Sequence, residues 1–510
     1  MSIATVSNCG QGLNADLTPE ELGVGVWSDV SNVRFSNGYA ERFRGMTQVF
    51  ATPAVTPYWC APYVYVTTKF IVHAGLAAVY VDDGTTRTEI TGTAPTGAID
   101  DRWTGGTLNG IFVCNNGVDL PKYWVGTIAT NLVEMSGIGW DAGWRCEAMR
   151  PFKNFLVALN VTKSGVKYPH MVKWSHSAVP GAVPTDWDET DVTLDAGEQD
   201  LSGADPLVDG LVLGDALILY KQRSCWAMTH IPNSPFIFRF QRLPGEHGML
   251  ARGCAVDTPL GHVVLSAGDV VLNAGNGPAS ICNGAVRKYI FNNINSTYYK
   301  RAFVTSNPSK NEVWVCFPYG SAEACSHAAV WNWTDKTWSI RTLVNATFGC
   351  VGQAVISDSW DADTETWDQD GTSWNENEYS PAESRLFMTH STPRISIVDS
   401  GSTDFGTVIS GYLERTGMDL GDPNAVKTIT GIRPRIDGAT GATVTVEIGG
   451  AMSPDATPTW STAQTFTIGS SIKIDSFATG RFLSVRFTNV DYAQWRMRSF
   501  DIEFFNAGRY

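Results

Sequence analysis

The densest set of potential ligands is DADTETWDQDG, residues 361 to 371, where carboxylates recur at nearly alternate positions. A hard cation such as Ca²⁺ needs several side-chain oxygens in such an array, so Asp361, Asp363, Glu365, Asp368 and Asp370 are the candidate metal ligands. The sixth position holds Thr366 where a calcium loop uses glycine for its sharp turn, which leaves a solvated acidic loop as the competing reading. Nucleophilic and metal catalysis find little else: there is no G-x-S-x-G, H-E-x-x-H or phosphate loop. The eight histidines are scattered singly, apart from His170 and His176, whose even separation would put both on one face of a strand. In WNWTDKTW, Trp331, Trp333 and Trp338 could form a sugar platform, but alternation puts Trp331 and Trp333 on one face, as in a packing stripe. Arg34, Arg42 and Arg44 flank a tight turn and are candidate partner-binding residues, a local positive patch on an acidic protein. No cofactor is expected.

The elements that must position these residues are strands. The chain has 510 residues, room for one large and one small domain, with 43% hydrophobic and 17% charged residues, the latter below the ~25% of average domains. Gly 49, Trp 18 and Phe 23 suit strands divided by tight turns. The net charge of −14 argues against a protein that grips DNA, since binding phosphate needs Lys and Arg to displace counterions. Ten cysteines are dispersed, the nearest pair being Cys316 and Cys325, so no C-x-x-C site exists and buried thiols of a reducing cytoplasm are expected. The first basic residue is Arg34, and Asp215 interrupts the most apolar run; neither a signal peptide nor a membrane-spanning segment is expected.

A unit of two short strands recurs seven times, with strands beginning near Phe70, Ile111, Phe155, Leu217, Val263, Val313 and Leu386. The shorter intervals, 41 to 50 residues, match a four-stranded propeller blade; those of 62 and 73 imply inserted loops. Runs such as VVLSAGDVVLNAG are apolar at consecutive positions, as stacked blades require, whereas a β-sandwich array would lack the blade-sized period. The predicted fold is therefore all-β: a β-propeller of six or seven blades over residues 57–402, an N-terminal segment 1–56 with a β-hairpin, and a C-terminal β-sandwich over 403–510. The hairpin is read from Asn37-Gly38, whose type I′ turn needs positive φ at both residues.

Charge is unevenly placed. Residues 342–384 hold no Lys or Arg and nine acids: Asp358, Asp361, Asp363, Glu365, Asp368, Asp370, Glu376, Glu378 and Glu383. Such a concentration must be solvated, bind cations or face a basic surface, so this stretch is expected to leave the propeller as an acidic channel or docking segment.

The run WSDVSNVRFSNGYAERFRGM resembles the opening of the tail nozzle, or hub, proteins of short-tailed bacteriophages. RPFKNFLVALNVT with VKWSH and PTDWD, NEVWVCFPYG with AVWNWTDKTWSIR, and GRFLSVRF with FDIEFFNAGR resemble later blocks of that family. The resemblance implies a β-propeller subunit without an active site, in a homo-oligomeric ring, by analogy a hexamer. That ring would hang below portal and adaptor proteins, with fibres, spikes or a needle around or below it, in a virion made in the bacterial host cytoplasm. It implies a part in retaining and ejecting the genome, which passes through unbound, and acidic walls would disfavour adhesion. The alternative is a carbohydrate-binding or glycoside-hydrolysing propeller, whose paired carboxylates sequence spacing does not reveal.

Overall fold

The computed structural model describes residues 2–509 except 233, 235, 354–383 and 490. The chain is all-β and propeller-like, a succession of small four-stranded antiparallel sheets. Five such sheets follow in chain order, built from Trp59–Tyr65 onward, Thr104–Leu108 onward, Trp144–Phe152 onward, Leu207–Leu213 onward and Ala255–Thr258 onward. Each consists of sequential hairpins. A nine-stranded sheet follows, beginning Phe303–Asn307, Glu312–Phe317, Cys325–Asn332, Thr337–Gly352, Arg385–His390 and Arg394–Val398. Thr337–Gly352 has two successive partners: up to Ala346 it pairs with Cys325–Asn332, and from Ala346 with Arg385–His390. The direction changes at Asn345, whose φ of 47° is left-handed.

The seven units read from the sequence fall on Thr68–Ala74, Ile111–Asn115, Phe155–Lys163, Ala216–Lys221, Gly261–Ser266, Glu312–Phe317 and Arg385–His390. The first five are the second strands of their sheets; the last two are the second and fifth strands of the nine-stranded sheet. Ile111–Asn115, Gly261–Ser266 and Glu312–Phe317 are buried at every position, because an inner strand is covered on both faces. First strands pack side by side from Thr104–Leu108 through Trp144–Phe152, Leu207–Leu213, Ala255–Thr258 and Phe303–Asn307 to Thr337–Gly352, which reaches Trp59–Tyr65. The first two sheets meet through aromatic rings: Trp59 stacks on Trp103 at 6.0 Å, and Tyr63 meets Phe112 edge-on at 5.5 Å.

The two ends of the chain share two further sheets. One runs Val33–Ser36, Tyr39–Arg42, Trp495–Arg509, Ala425–Gly438, Ile474–Gly480, with Ser2–Val6 also on Trp495–Arg509. The other runs Asp29–Ser31, Gly411–Met418, Phe482–Asn489, Thr443–Ala451, Thr459–Trp460, with Gln464–Thr467 also on Thr443–Ala451. Trp27, Phe35, Leu413, Ile429, Ile448, Val485, Phe487, Phe500 and Ile502 belong to one buried cluster that continues to Trp331 and Trp338. The Asn37-Gly38 hairpin forms as expected, with φ of 52° and 80° and Ser36 paired to Tyr39. Beyond it, Met46–Gln48 pairs with Arg394–Val398 on one side and, at Met46, with Thr403–Asp404 on the other, so strand pairing crosses the expected boundaries at 56 and 402. Gly45 precedes this closing strand, and a Cβ there would collide with the backbone of Thr403. Among the described residues no helix is long and apolar enough to cross a membrane.

Residues 342–352 are part of Thr337–Gly352, which corrects the expectation that the whole of 342–384 leaves the sheets: Leu343 and Ala346 are buried there. The acidic residues Asp358, Asp361, Asp363, Glu365, Asp368, Asp370, Glu376, Glu378 and Glu383, and with them the candidate metal ligands, lie outside the described residues.

Candidate functional site

The hairpin places its arginines inward. It is sandwiched between Trp495–Arg509 on one side and the nine-stranded sheet on the other, so a guanidinium on it must find acceptors within the protein. Arg34 is 3% exposed; its Nε lies 3.0 Å from Glu312 and its Nη2 donates to Asp399 at 2.7 Å, while its plane covers the Phe43 ring at 4.4 Å. Asn307 Nδ2 donates to Asp399 at 2.6 Å and Trp314 Nε1 to Glu312 at 3.1 Å. Burial pushes the Glu312 carboxyl up to about 7, against the pull of Arg34. Burial alone would lower the Arg34 guanidinium, but Asp399 and Glu312 outweigh it and hold Arg34 above its usual value.

Arg42, 2% exposed, donates to the carbonyls of Ser402 at 2.9 Å, Ile409 at 3.3 Å and Tyr492 at 3.2 Å. Burial and the neighbouring Arg341 lower it to about 10. Arg341 is itself buried, bidentate to Asp404 at 2.7 and 2.8 Å and bonded to Asn32 Oδ1 at 2.9 Å. The expected surface patch is thereby corrected for Arg34 and Arg42: both belong to a buried joint between the terminal sheets and the last repeats. Arg44 is half-buried.

His170 accepts no common ligand with His176. His170 Nδ1 lies 3.2 Å from the Asp205 carbonyl, whereas His176 sits past the end of Val166–Trp174 and its Nδ1 accepts from Asp195 N at 3.0 Å. Trp331 and Trp338 are cross-strand partners, both buried, with centroids 6.3 Å apart, and Trp338 Nε1 donates to the Ile281 carbonyl at 3.2 Å. Their faces are core. Trp333 lies in the following turn and not on the strand, so the expected stripe is shorter by one ring. All ten cysteines are buried free thiols. Among the described residues no group of three or more His, Cys, Asp or Glu is placed to hold a metal.

His390 reports on the joint's integrity. It is buried, its Nδ1–H donates to the Val344 carbonyl at 2.8 Å, and its Nε2 lies 2.8 Å from Ser396 Oγ, so the neutral ring satisfies both nitrogens. Burial lowers it from 6.5 to about 4. The unfolded chain takes up this proton below about 6.5 and the folded chain does not, so the contribution is full above 6.5 and lost as pH falls towards 4. We expect a loss of up to about 3 kcal/mol across that window. Urea titrations of wild type and His390→Gln should differ in slope between pH 6.5 and 4; identical slopes would refute the assignment. Glu312, raised, contributes with opposite sign, which the comparison of variants cancels.

Sequence reasoning missed three arginines at the starts of first strands. Arg102, Arg252 and Arg301 each precede a first strand, Thr104–Leu108, Ala255–Thr258 and Phe303–Asn307, by two or three residues. This spacing was the available signal. They line two hollows of about 270 and 480 Å³ where the entering ends of first strands converge. Tyr58, Asn345 and Thr347 line the smaller; Glu147, Pro206 and Lys300 the larger; Arg102 lines both. Arg301 pairs with Asp100 at 2.8 Å and Arg252 with Glu147 at 3.4 Å.

No family model matches the chain, and no curated protein matches it. Among solved structures it is similar to the extracellular domain of a one-component system from B. thetaiotaomicron, at 8% identity and a TM-score of 0.39. That match covers 85% of this chain and 48% of the other, so the chain spans about half the length of the structure it matches. A likeness of this size carries no argument about function.

Proposed function

We propose that this chain is a structural subunit of the tail nozzle ring of a short-tailed bacteriophage, folded as a seven-bladed β-propeller beside a β-sandwich. Seven follows from dividing the nine-stranded sheet at Asn345: Thr337–Gly352 ends the sixth blade and begins the seventh, and Met46–Gln48 is the seventh blade's outer strand. The observation that carries the reading is the place of the run Trp27 to Met46, the first block of the resemblance to the nozzle family. That run joins both terminal sheets and the closing strand, fastening the ends of the chain through buried arginines. A body fastened in this way suits containment under load. Its partners would be further copies of itself, adaptor proteins above and fibres, spikes or a needle below, with DNA passing unbound.

A ring of copies needs two different surfaces on each subunit. The tip Val64, Tyr65, Val66, with Val125 and Ile128 beside it, is one: Val66 is 82% exposed, and Tyr65 packs against Gly126. We expect Val66→Asp with Ile128→Asp to leave the chain folded at unchanged Tm but absent from closed rings, as read by mass measurement on assembled tails. Electron micrographs of the particle should place the wild-type chain in a cyclic assembly below the portal. A solitary copy in the native particle would overturn the proposal. The arginine-lined axial hollows favour a second reading, a carbohydrate-binding propeller.

A further inference from the structure

We infer that the axial hollows form a binding site for a small monocarboxylate, with Arg102 as the residue that receives the carboxylate. The inference stands whether or not the chain is a ring subunit, because it rests on the axis of the repeats and not on their outer surfaces.

Arg102 is 4% exposed and lines both hollows, so its guanidinium sits in the wall between them. Its Nη2 donates to the Thr347 carbonyl at 3.0 Å, and its plane covers the Phe348 ring at 5.4 Å. Nε has no hydrogen-bond partner, and among the described residues no carboxylate lies within ion-pair distance of the group. The other buried arginines differ: Arg34 and Arg341 are each met by carboxylates, and Arg42 and Arg415 each by three carbonyls. A guanidinium taken from water with one carbonyl and one ring for company lacks the compensation that buried charges ordinarily have. An anion entering either hollow would supply it, and guanidinium geometry matches a carboxylate with two parallel N–H···O bonds.

The surroundings decide which anion. Arg252, Arg301, Lys167 and Lys300 add positive charge, but Glu147 pairs with Arg252 and Lys167, Asp100 and Glu323 pair with Arg301, and Asp101 also lines the larger hollow. A dianion such as phosphate would face these carboxylates with one uncompensated buried cation in its favour. A single negative charge meets the same cation at half the repulsion. The remaining lining of the smaller hollow mixes apolar groups, Ile99 and Ala324, with hydrogen-bonding ones, Tyr58, Asn345 and Ser391. That lining fits a compact body carrying hydroxyls, as in an acidic sugar or a small hydroxy acid. These are two sources of one chemistry.

Ligand-observed NMR on the full-length chain with D-glucuronate, lactate, acetate and inorganic phosphate tests this. We expect saturation transfer to the carboxylates, weak or none to phosphate, and at least a tenfold loss of carboxylate affinity in Arg102→Gln. Stronger transfer to glucuronate than to lactate assigns an acidic sugar; the reverse assigns a hydroxy acid. The carboxylate should raise the Tm of wild type and leave that of Arg102→Gln unchanged. Should Arg102→Gln fail to fold, Arg301→Gln, at the rim, is expected to weaken binding severalfold. Absence of transfer at millimolar carboxylate, equal binding by Arg102→Gln where it folds, or a preference for phosphate would each overturn the inference.

Discussion

Replacing Arg34 by Ala is expected to destabilise the full chain by about 3–5 kcal/mol, the cost of removing one partner from a buried charge cluster. Glu312 and Asp399 would be left facing each other in the interior, Trp314 Nε1 still donating to Glu312 and Asn307 Nδ2 to Asp399. The Glu312 carboxyl, already raised to about 7, would be pushed further up, so the variant should bind a proton there that the unfolded chain does not hold near neutrality. Stability of a fold with a raised carboxyl is greatest at low pH and declines as pH rises through the folded value. The deficit of Arg34→Ala should therefore be smaller at pH 5 than at pH 8. Urea unfolding at the two pH values checks both size and sign. A deficit below about 1 kcal/mol would mean that the pair behaves as an exposed one. Replacing Arg34, Glu312 and Asp399 together by apolar residues of similar volume should recover most of the loss, because no charge remains uncompensated.

Trp27→Ala is expected to cost a similar amount, about 3–5 kcal/mol, through a cavity at the centre of the terminal sheets. Trp27 is fully buried, meets Phe487 edge-on at 6.2 Å and lies 6.1 Å from Phe500, and its Nε1 donates to the Cys9 carbonyl at 2.8 Å. Its neighbours connect directly to the repeats: Leu13 N donates to the Trp338 carbonyl at 2.9 Å, and the buried cluster runs on through Trp338 and Ile340. The loss should consequently appear as one shifted transition, with near-UV and far-UV signals coincident. A separate early transition, with the remainder unfolding at the wild-type temperature, would show that the terminal sheets are independent of the repeats.

The repeats were legible because burial on both faces writes itself into composition. Gly261–Ser266 and Glu312–Phe317 are apolar at adjacent positions, and each of the seven units lands on a strand flanked by partners on both sides. The hairpin was legible because Asn37-Gly38 is among the few pairs that accept two consecutive positive φ values. Both signals are local, a matter of a few residues and their immediate strand partners.

The remaining features depend on contacts between residues hundreds of positions apart. Nothing in the spacing of Arg34, Arg42 and Arg44 distinguishes an exposed patch from a buried joint; the distinction comes from Glu312, Asp399 and the carbonyls of Ser402 and Ile409, brought there by the sheets. Arg102, Arg252 and Arg301 come to line the same pair of hollows only when successive sheets pack side by side. The sequence by itself determined strands, turns and the repeat, since these follow from backbone preferences and the periodicity of apolar residues. Tertiary structure alone decided which charges are buried and what faces them, because the free energy of an arginine is set by its surroundings and not by its neighbours in the chain.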